Sequence, residues 1–421
     1  MYSQQKADTI LQAATIENCI HFAIKNNPAI KNSIINEAIT ETIIKSKLSE
    51  WYPQLNFTYN LQDNFQLPRI NINGNLIKSG TNGTSSVQLG FTQNIFSSDA
   101  LLASRSARDV RLQARQSTKE QDINLAAMVS KAFFDVILTK QKITLAQEDI
   151  TRLEQSLKDA NYQYLAGIAD KTDYKRATIS LNNAEALKKT GDETLKAKNA
   201  YLKELMGYPD SLPIELTYDT AQLDKEIYID TLQHVRYDNR VEINLLETQR
   251  KLQEYNLRYY KWSFLPAISA FGNYNLNYLN NDFSKLYSAD YPNSYAGLML
   301  TLPIFKGGKR IQQIKQAQLE IVQVDNSIKS LQNNINTQYQ QALATYKSNL
   351  YNYFALKENV DLALEVYNII SLQYRSGIKT YLDVITAETD LRSAQTNYYD
   401  ALYQLLSSKI DVAQSLGTIT Y

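Results

Sequence analysis

The amino-acid sequence predicts a mixed α+β membrane protein built from tandem duplicated halves. Three observations support this prediction: an internal repeat, two pairs of segments in which apolar and polar residues alternate, and two very long stretches without proline. Alternation with a period of two is typical of β-strands, and long stretches with apolar residues at steps of three and four are typical of paired helices. The expected fold is a trimeric twelve-stranded β-barrel, with four strands per protomer, continuous with a long α-helical coiled-coil tunnel.

The internal repeat appears when the chain is compared with itself. A shift of 213 residues places Pro53 on Pro266, and later in each half a shift of 210 residues places Gly167 on Gly377. Each half has the same order of elements: a helix, two strands, a very long helix, a tight turn and a return helix. The chain is therefore a tandem duplication, and its small length differences lie in loops.

The repeat divides the chain into an N-terminal segment (1–14), a first repeat (15–207), a linker expected to form a collar (208–231), a second repeat (232–417) and a C-terminal tail (418–421). In the first repeat we expect a helix over residues 15–50, strands at about 53–68 and 83–96, a long helix at 98–164 and a return helix at 171–206. In the second repeat we expect a first helix, strands at about 266–281 and 294–305, a long helix at 308–374 and a return helix at 380–416.

The strand pattern indicates a membrane-spanning sheet that one chain cannot close. Leu55, Phe57 and Tyr59 alternate with polar residues, and the other three strands show the same alternation. A strand needs about 9–11 residues to cross a bilayer. An open sheet would leave edge groups unpaired in lipid, so copies of the chain must associate. Three copies give a barrel with a wide interior, and two copies with a filled interior are the alternative.

The long helices carry apolar seams. Residues 98–164 and 308–374 lack proline, and at about 1.5 Å per residue each would extend for about 100 Å. Helices of this length persist when they pack on neighbours. Two seams with steps of three and four are Ile314, Ala317, Ile321, Val324, Ile328, Leu331 and Ile335, and Val384, Ala387, Leu391, Ala394, Tyr398, Ala401 and Leu405. This spacing predicts coiled-coil packing.

Composition argues against several functional classes. The chain has 44 Lys and Arg residues against 43 Asp and Glu residues, so no basic excess suggests nucleic acid as a partner. The 30 tyrosines suit a protein with membrane–water interfaces.

The N-terminus lacks the apolar core of a secretory signal, so we expect that a signal peptide has been removed if the protein is exported.

No pattern indicates catalysis or a cofactor. His21 and His234 occupy matching repeat positions, and two histidines without nearby cysteines are a poor metal ligand set. Cys19 lies in an apolar helix start and is expected to be a buried small side chain. Gly307 and Gly308 lack the Gly-Lys-Ser/Thr ending of a phosphate loop. We therefore expect no enzyme activity, no cofactor and no metal site.

The order and spacing of these features resemble the TolC family of outer-membrane efflux proteins. The resemblance rests on duplicated halves, a proline after an aromatic residue at each strand entry, and Gly-Ile turns after tyrosine, and it covers residues from about 15 to 417. It implies an outer-membrane protein with a large periplasmic portion that conducts substrates passively through an iris-like periplasmic gate. The implied partners are two further copies of the chain, a periplasmic adaptor (membrane fusion) protein, an inner-membrane transporter of the RND or ABC type, and outer-membrane lipid.

The resemblance also implies functional positions at the ends of the helical hairpins. The adaptor-docking tips would be Gly167, Ile168, Gly377 and Ile378. The periplasmic gate would use Tyr374 and Lys379 with their acceptors Thr172 and Asp173, and Asp383 would form a carboxylate ring at the constriction. The alternatives are ordinary turn glycines and solvated charges on helix surfaces.

Two other functional interpretations stay open. A soluble coiled-coil scaffold, or a structural component of a secretion apparatus, would explain the seams but not the paired alternating strands. Within export, a duct for proteins or metal cations is as compatible with the sequence as a duct for small toxic molecules.

Overall fold

The computed structural model describes residues 11, 13–167, 170–218 and 227–419. The chain divides into two compact units. Unit 1 comprises Met1–Ile35, Gln116–Leu245 and Lys329–Tyr421, and unit 2 comprises Asn36–Arg115 and Leu246–Ile328. Each unit draws on both halves of the chain, so the duplication does not correspond to two domains that follow one another in sequence.

The described residues form seven α-helices and six β-strands, numbered here in chain order. The helices are α1 (Ile16–Asn26), α2 (Pro28–Leu48), α3 (Ser98–Leu165), α4 (Lys171–Met206), α5 (Val241–Trp262), α6 (Lys309–Arg375) and α7 (Tyr381–Leu416). The strands are β1 (Gln54–Asp63), β2 (Arg69–Ile72), β3 (Asn75–Lys78), β4 (Gly83–Phe96), β5 (Ala267–Asn280) and β6 (Asp290–Thr301). Mixed α+β architecture with very long helices is therefore confirmed.

Four strands form one antiparallel sheet in unit 2, in the order β1-β4-β5-β6. The register places Leu55 opposite Phe91 and Tyr274 opposite Leu89, so apolar residues of neighbouring strands share one face. On this face the exposed fractions are 71% for Leu55 and 48% for Tyr274. The sheet therefore presents an apolar surface that is not buried within the protomer.

A two-stranded hairpin lies between β1 and β4. Strands β2 and β3 pair antiparallel, with Ile72 opposite Asn75, so the connection consists of two residues. These residues, Asn73 and Gly74, have φ values of 51° and 89°. Asn-Gly with positive φ at both positions is the preferred type I′ hairpin turn, and its twist suits the flanking strands.

Two strand boundaries differ from those expected. The strand expected at about 53–68 ends at Asp63, and the strand expected at about 294–305 runs from Asp290 to Thr301. Pro292 lies inside β6, although proline usually interrupts a strand. An edge strand tolerates proline because one side of its backbone makes no ladder hydrogen bonds, and β6 is an edge strand of this sheet.

The helix expected over residues 15–50 is broken near its start. Helix α1 ends at Asn26 and α2 begins at Pro28. Asn27 has a ψ of 128°, the extended geometry preferred before a proline. Proline is in turn favoured at the first helical position, where no N–H is needed.

Asn27 joins two helix ends in unit 1. Its Nδ2 donates a hydrogen bond to the main-chain oxygen of Leu205 in the last turn of α4 at 2.7 Å. Its Oδ1 accepts a hydrogen bond from the main-chain nitrogen of Ala29 in the first turn of α2, also at 2.7 Å. Gly207, which follows α4, has a φ of 63°, and a Cβ there would lie 2.7 Å from the main-chain oxygen of Asn26. The end of α4 therefore packs directly on the backbone that precedes α2.

The second half repeats this junction with different side chains. Arg240 Nη1 donates to the main-chain oxygen of Ser415 at the end of α7 at 2.8 Å. Its Nε and Nη2 donate to the carboxylate of Glu242 in the first turn of α5. Gly417 has a φ of 70°, and a Cβ there would lie 2.7 Å from the main-chain oxygen of Asn239. The two junctions share their backbone arrangement.

An extensive apolar core lies in unit 1, and the linker between the repeats packs on it. Phe133 of α3 and Tyr346 of α6, both near the middle of their helices, are almost fully buried in this core. Ile227 is also buried, and the hydroxyl of Tyr346 donates to its main-chain oxygen at 2.7 Å. The ring of Tyr218 contacts the ring of Phe133. Residues 219–226 of the expected linker lie outside the described part of the chain.

We predict that Gly207→Ala destabilises unit 1 more than Gly167→Ala. Both glycines have a positive φ, but only the first has a backbone atom within 4 Å of the added Cβ. The left-handed conformation alone costs about 1–2 kcal/mol for a non-glycine residue, and a forced collision adds about 1–3 kcal/mol. Thermal unfolding followed by circular dichroism measures the difference, and equal melting temperatures would contradict the junction as described.

Candidate functional site: the hairpin tips and the sheet faces

The two helical hairpins of unit 1 turn at equivalent glycines. Gly167 follows α3 with a φ of 72°, and Gly377 follows α6 with a φ of 76°. Each glycine N–H donates to the carbonyl of a tyrosine three residues earlier, Tyr164 at 3.0 Å and Tyr374 at 2.9 Å. Glycine reaches this left-handed conformation without the steric cost of a Cβ, so both turns have the geometry of a helix end.

Both tips expose apolar side chains. Ile378 is 73% exposed, Leu165 is 70% exposed and Leu372 is 67% exposed. Ile168, which was expected to belong to the first tip, lies outside the described residues. Within the described part of the chain, no atom lies within 4 Å of a Cβ added at Gly167 or Gly377, which leaves the backbone of both turns open to a partner.

The return helices begin with equivalent capping arrangements. At the start of α4, Asp170 Oδ1 accepts a hydrogen bond from the N–H of Thr172 at 2.8 Å, and Asp173 lies in the first turn. At the start of α7, Thr380 and Asp383 form a capping box in which each side chain accepts from the backbone of the other. Two of the expected gate carboxylates therefore lie in the positively polarised first turns of helices.

Asp383 has a structural role within its protomer. The hydroxyl and the N–H of Thr380 donate to Asp383 Oδ2 at 2.7 and 2.9 Å. These hydrogen bonds lower the pKa of Asp383 below its ordinary value, and the charge of Lys379 contributes less. Lys379 Nζ lies 3.9 Å from Asp383 Oδ1. Asp383 is therefore ionised at neutral pH, as a constriction carboxylate would have to be.

Tyr374 links the two hairpins within one protomer. Its hydroxyl donates to Gln163 Oε1 on α3 at 2.8 Å. Burial raises the pKa of Tyr374, and the nearby charge of Asp173 raises it further, so the phenol stays protonated and can donate. The expected links from Tyr374 and Lys379 to Thr172 and Asp173 would join neighbouring protomers, and they stay predictions.

Sequence reasoning did not identify Gln163 or Asp170. Gln163 precedes Tyr164 as Gln373 precedes Tyr374, so the repeat aligns the two glutamines. The alignment does not indicate that Gln163 contacts Tyr374. Asp170 matches Thr380 at the shift of 210 residues, and both are residue types preferred at helix N-caps. That signal could have identified Asp170.

The second face of the sheet is rich in amides. In the strand register, the face opposite Leu55 carries asparagine, glutamine, threonine and serine at most positions. Neighbouring amides bond across strands: Gln88 Nε2 donates to Asn273 Oδ1 at 2.9 Å, and Asn275 Nδ2 donates to Asn293 Oδ1 at 2.7 Å. This face carries no charged residue between its strand ends, so the sheet is apolar on one side and neutral polar on the other.

The described part of the chain contains no group of three or more His, Cys, Asp or Glu residues that is arranged to hold a metal ion. Cys19 is buried, and burial raises the pKa of its thiol to about 12, so it is not a reactive thiolate. Among the described residues, no helix combines the length and the apolar character that a membrane crossing requires.

Long hairpins with exposed tips, together with bilayer-length strands that expose an apolar face, are the combination expected of an outer-membrane channel protein. Residues 19–208 and 237–418 each match the family described as outer membrane efflux protein, one match for each half of the chain. The chain belongs to this family.

Individual relatives are distant but span nearly the whole chain. Outer membrane protein TolC of Vibrio cholerae is 21% identical over 98% of this chain and 93% of the relative. Outer membrane protein TolC of Escherichia coli is 22% identical over 98% of this chain and 84% of the relative. The solved structure of CusC aligns with a TM-score of 0.77 at 18% identity, over 99% of this chain and 95% of CusC. The fold, the outer-membrane location and the role as an efflux or secretion channel agree with the expectations from the sequence.

We predict that Thr380→Ala frays the start of α7. Loss of an N-cap side chain costs about 1 kcal/mol, equivalent to about a fivefold increase in local opening. Hydrogen exchange of the amides in the first turn of α7 measures this opening. Thr386→Ala is the matched control, because the Thr386 hydroxyl donates only to a carbonyl of its own helix, that of Leu382. Equal exchange in the two variants would show that the capping box does not hold this turn.

Proposed function

We propose that the protein works as a homotrimeric export duct that passively conducts substrates from an inner-membrane pump and a periplasmic adaptor to the cell exterior. The observation that carries the proposal is the sheet of unit 2. Its strands contain 10, 14, 14 and 12 residues, enough to cross a bilayer, and one of its faces is apolar and exposed. Both properties suit a wall between lipid and water.

The sheet edges support assembly of several copies. Among the described residues, β1 pairs only with β4 and β6 pairs only with β5, so each protomer presents two open edges. In lipid an unpaired backbone group costs several kcal/mol. Pairing β1 of one protomer with β6 of the next closes the ring, and twelve strands leave an interior wide enough for substrates.

The two faces then have distinct environments. The apolar face, which includes Leu55 and Leu298, would contact lipid, and the amide-rich face would line the water-filled interior. A neutral polar wall offers hydrogen bonds without a fixed charge, so this part of the duct would accept cargo of either sign. Cargo selection would then rest with the pump.

The tips would form the periplasmic gate and the adaptor-docking surface. The exposed apolar residues at Gly377 and Ile378 suit contact with a partner protein, and the first tip at Gly167 and Ile168 is proposed to act in the same way.

The hydrogen bond from Tyr374 to Gln163 holds the two hairpins of a protomer together. Lys379, Thr172 and Asp173 would add links between protomers, and Asp383 would place one carboxylate per protomer at the constriction. No catalysis is required for this role.

We predict that the protein purified in detergent is a trimer. Three copies follow from closure of the strand edges, whereas an eight-stranded dimer would have a filled interior. Native mass spectrometry, in which the detergent is removed in the gas phase, distinguishes a trimer from a dimer. A monomeric or dimeric mass would contradict the twelve-stranded barrel.

We also predict that weakening the tip links opens the duct. Removing one hydrogen bond costs about 1 kcal/mol, which shifts the closed-to-open ratio of each protomer about fivefold. Single-channel conductance in planar bilayers should therefore increase in the double variant Tyr374→Phe with Lys379→Ala. Tyr351→Phe with Lys347→Ala is the matched control on α6, since Tyr351 is 77% exposed. Unchanged conductance in the tip variant would remove the gate assignment, and absence of channels from folded protein would contradict the duct itself.

A further inference from the structure

A buried charged cluster lies above the tips, between the two hairpins of unit 1. Asp149 and Arg152 belong to α3 in the first hairpin, and Glu388 belongs to α7 in the second. Asp149 is 2% exposed and Glu388 is 3% exposed. Arg152 Nη2 contacts Asp149 Oδ1, and Arg152 Nε lies 3.9 Å from Glu388 Oε1. One guanidinium thus serves two carboxyl groups that are almost fully removed from water.

The hydrogen bonding of this cluster is incomplete. Arg152 Nε and Glu388 Oε1 are both buried without a hydrogen-bond partner among the described residues, and so is the hydroxyl of Tyr381 on the same helix as Glu388. A buried ion pair compensates for desolvation only when its geometry is good and its remaining polar atoms are satisfied. An ionised Glu388 is therefore poorly supported here, whereas a protonated Glu388 carries no charge to desolvate.

The groups around Glu388 come from three helices. Helix α3 contributes Asp149 and Arg152, α6 contributes Tyr367, and α7 contributes Arg392 and Tyr381. Burial, and after it the negative charge of Asp149, raise the pKa of Glu388 to about 7 against the opposing charges of the two arginines. Burial also raises the pKa of Asp149. The carboxyl pair as a whole is thus biased toward holding a proton.

Two other ion pairs join the same helices, and they are open to solvent. Lys131 Nζ bonds Asp411 Oδ1 at 2.5 Å, with side-chain exposures of 30% and 44%. Lys142 contacts Asp400, which is 59% exposed. Among the described pairs between α3 and α7, the one that contains Glu388 differs in its carboxylate: the Glu388 side chain is 4% exposed, although that of Arg152 is 28% exposed. This pair is also the member of the series nearest to the tips. Separation of the hairpins would hydrate Glu388.

We propose that Asp149, Arg152 and Glu388 form a proton-sensitive latch between the two hairpins, which holds them together while the carboxyl pair carries a proton and weakens when that proton leaves. This inference rests on the proposed gate, because it assigns to the latch the same movement of the hairpins. The latch differs from the tip links in position and in chemistry, since it acts through desolvation and not through a docking contact.

The direction of the pH dependence follows from linkage. In the packed state Glu388 has a pKa of about 7, and after separation it would return toward its ordinary value of 4.5. The packed state therefore binds the proton more tightly, is favoured at acid pH, and loses this advantage as the pH rises through 7. Between pH 6 and pH 8 the packed-to-separated ratio should fall about tenfold for each protomer.

The test is single-channel conductance of the full chain in planar bilayers at pH 6 and pH 8. Wild type should open more at pH 8. Glu388→Gln keeps the size of the side chain without its charge, so it should stay closed at both pH values and lose the pH dependence. Arg152→Gln should open more than wild type at pH 8 and resemble it at pH 6. Asp400→Asn is the matched control from the exposed Lys142 pair, and its pH dependence should equal that of wild type.

Two results would overturn the latch: a wild-type duct without pH dependence, or a Glu388→Gln duct that keeps it. Hydrogen exchange of residues 384–395, corrected for intrinsic rates, is the second measurement. It should show faster opening at pH 8 in wild type and no change in Glu388→Gln, and equal pH effects in the two would also reject the latch. This readout does not require conduction, so failure of the duct proposal stays distinguishable from failure of the latch.

Discussion

The helical architecture depends on hydrogen bonding at buried helix ends, where one helix ends and another begins inside the protein core. The side chain of Asn27 provides these hydrogen bonds in the first half of the chain. Helix ends leave backbone groups without partners, and buried ends need substitutes. The Asn27 amide has a donor and an acceptor, and it uses the donor on the carbonyl of Leu205 and the acceptor on the N–H of Ala29. One end group of α4 and one of α2 thus find a partner where the two helices meet end to end. Two short helices can therefore serve where the sequence provides no single long one.

Duplication preserved the backbone of this junction while its side chains diverged. Gly207 and Gly417 both have positive φ, and both approach a main-chain oxygen so closely that a Cβ would lie at 2.7 Å. Asn27 is replaced by Arg240, whose charge requires a partner that a neutral amide does not. Glu242 supplies it: burial alone would raise the pKa of this carboxyl, but its hydrogen bonds with Arg240 lower it. A charged side chain at this junction thus requires one additional residue as its partner. In both halves the close approach of the backbone leaves no room for a side chain at the glycine.

The repeat, the long helices and most element boundaries could be predicted from the sequence, because periodicity and proline placement are local properties that a single chain displays. Contacts between distant segments could not. The hydrogen bond between Gln163 and Tyr374 joins residues 211 positions apart, and no local pattern indicates which side chain will face the tyrosine. The break at Asn27 was missed although Pro28 marks it, because proline is also acceptable in a first helical turn. Nothing in the sequence singles out Glu388, since burial of a charge depends on which helices surround it.

The three described ion pairs between α3 and α7 place their cations on α3 and their anions on α7. Lys131, Lys142 and Arg152 recur at intervals of about three helical turns, so they lie on one side of α3. Exposed pairs contribute little to stability, whereas a buried pair is costly and sensitive to its surroundings. The apolar core around Phe133 therefore holds the middle of the contact between α3 and α7, and the ion pairs near it contribute little to stability. Toward the tips the apolar clusters are small, and the carboxyl groups of Asp149 and Glu388 are buried. In the proposed gate, sensitivity to charge is thus concentrated at the end of the hairpins that would move when the duct opens.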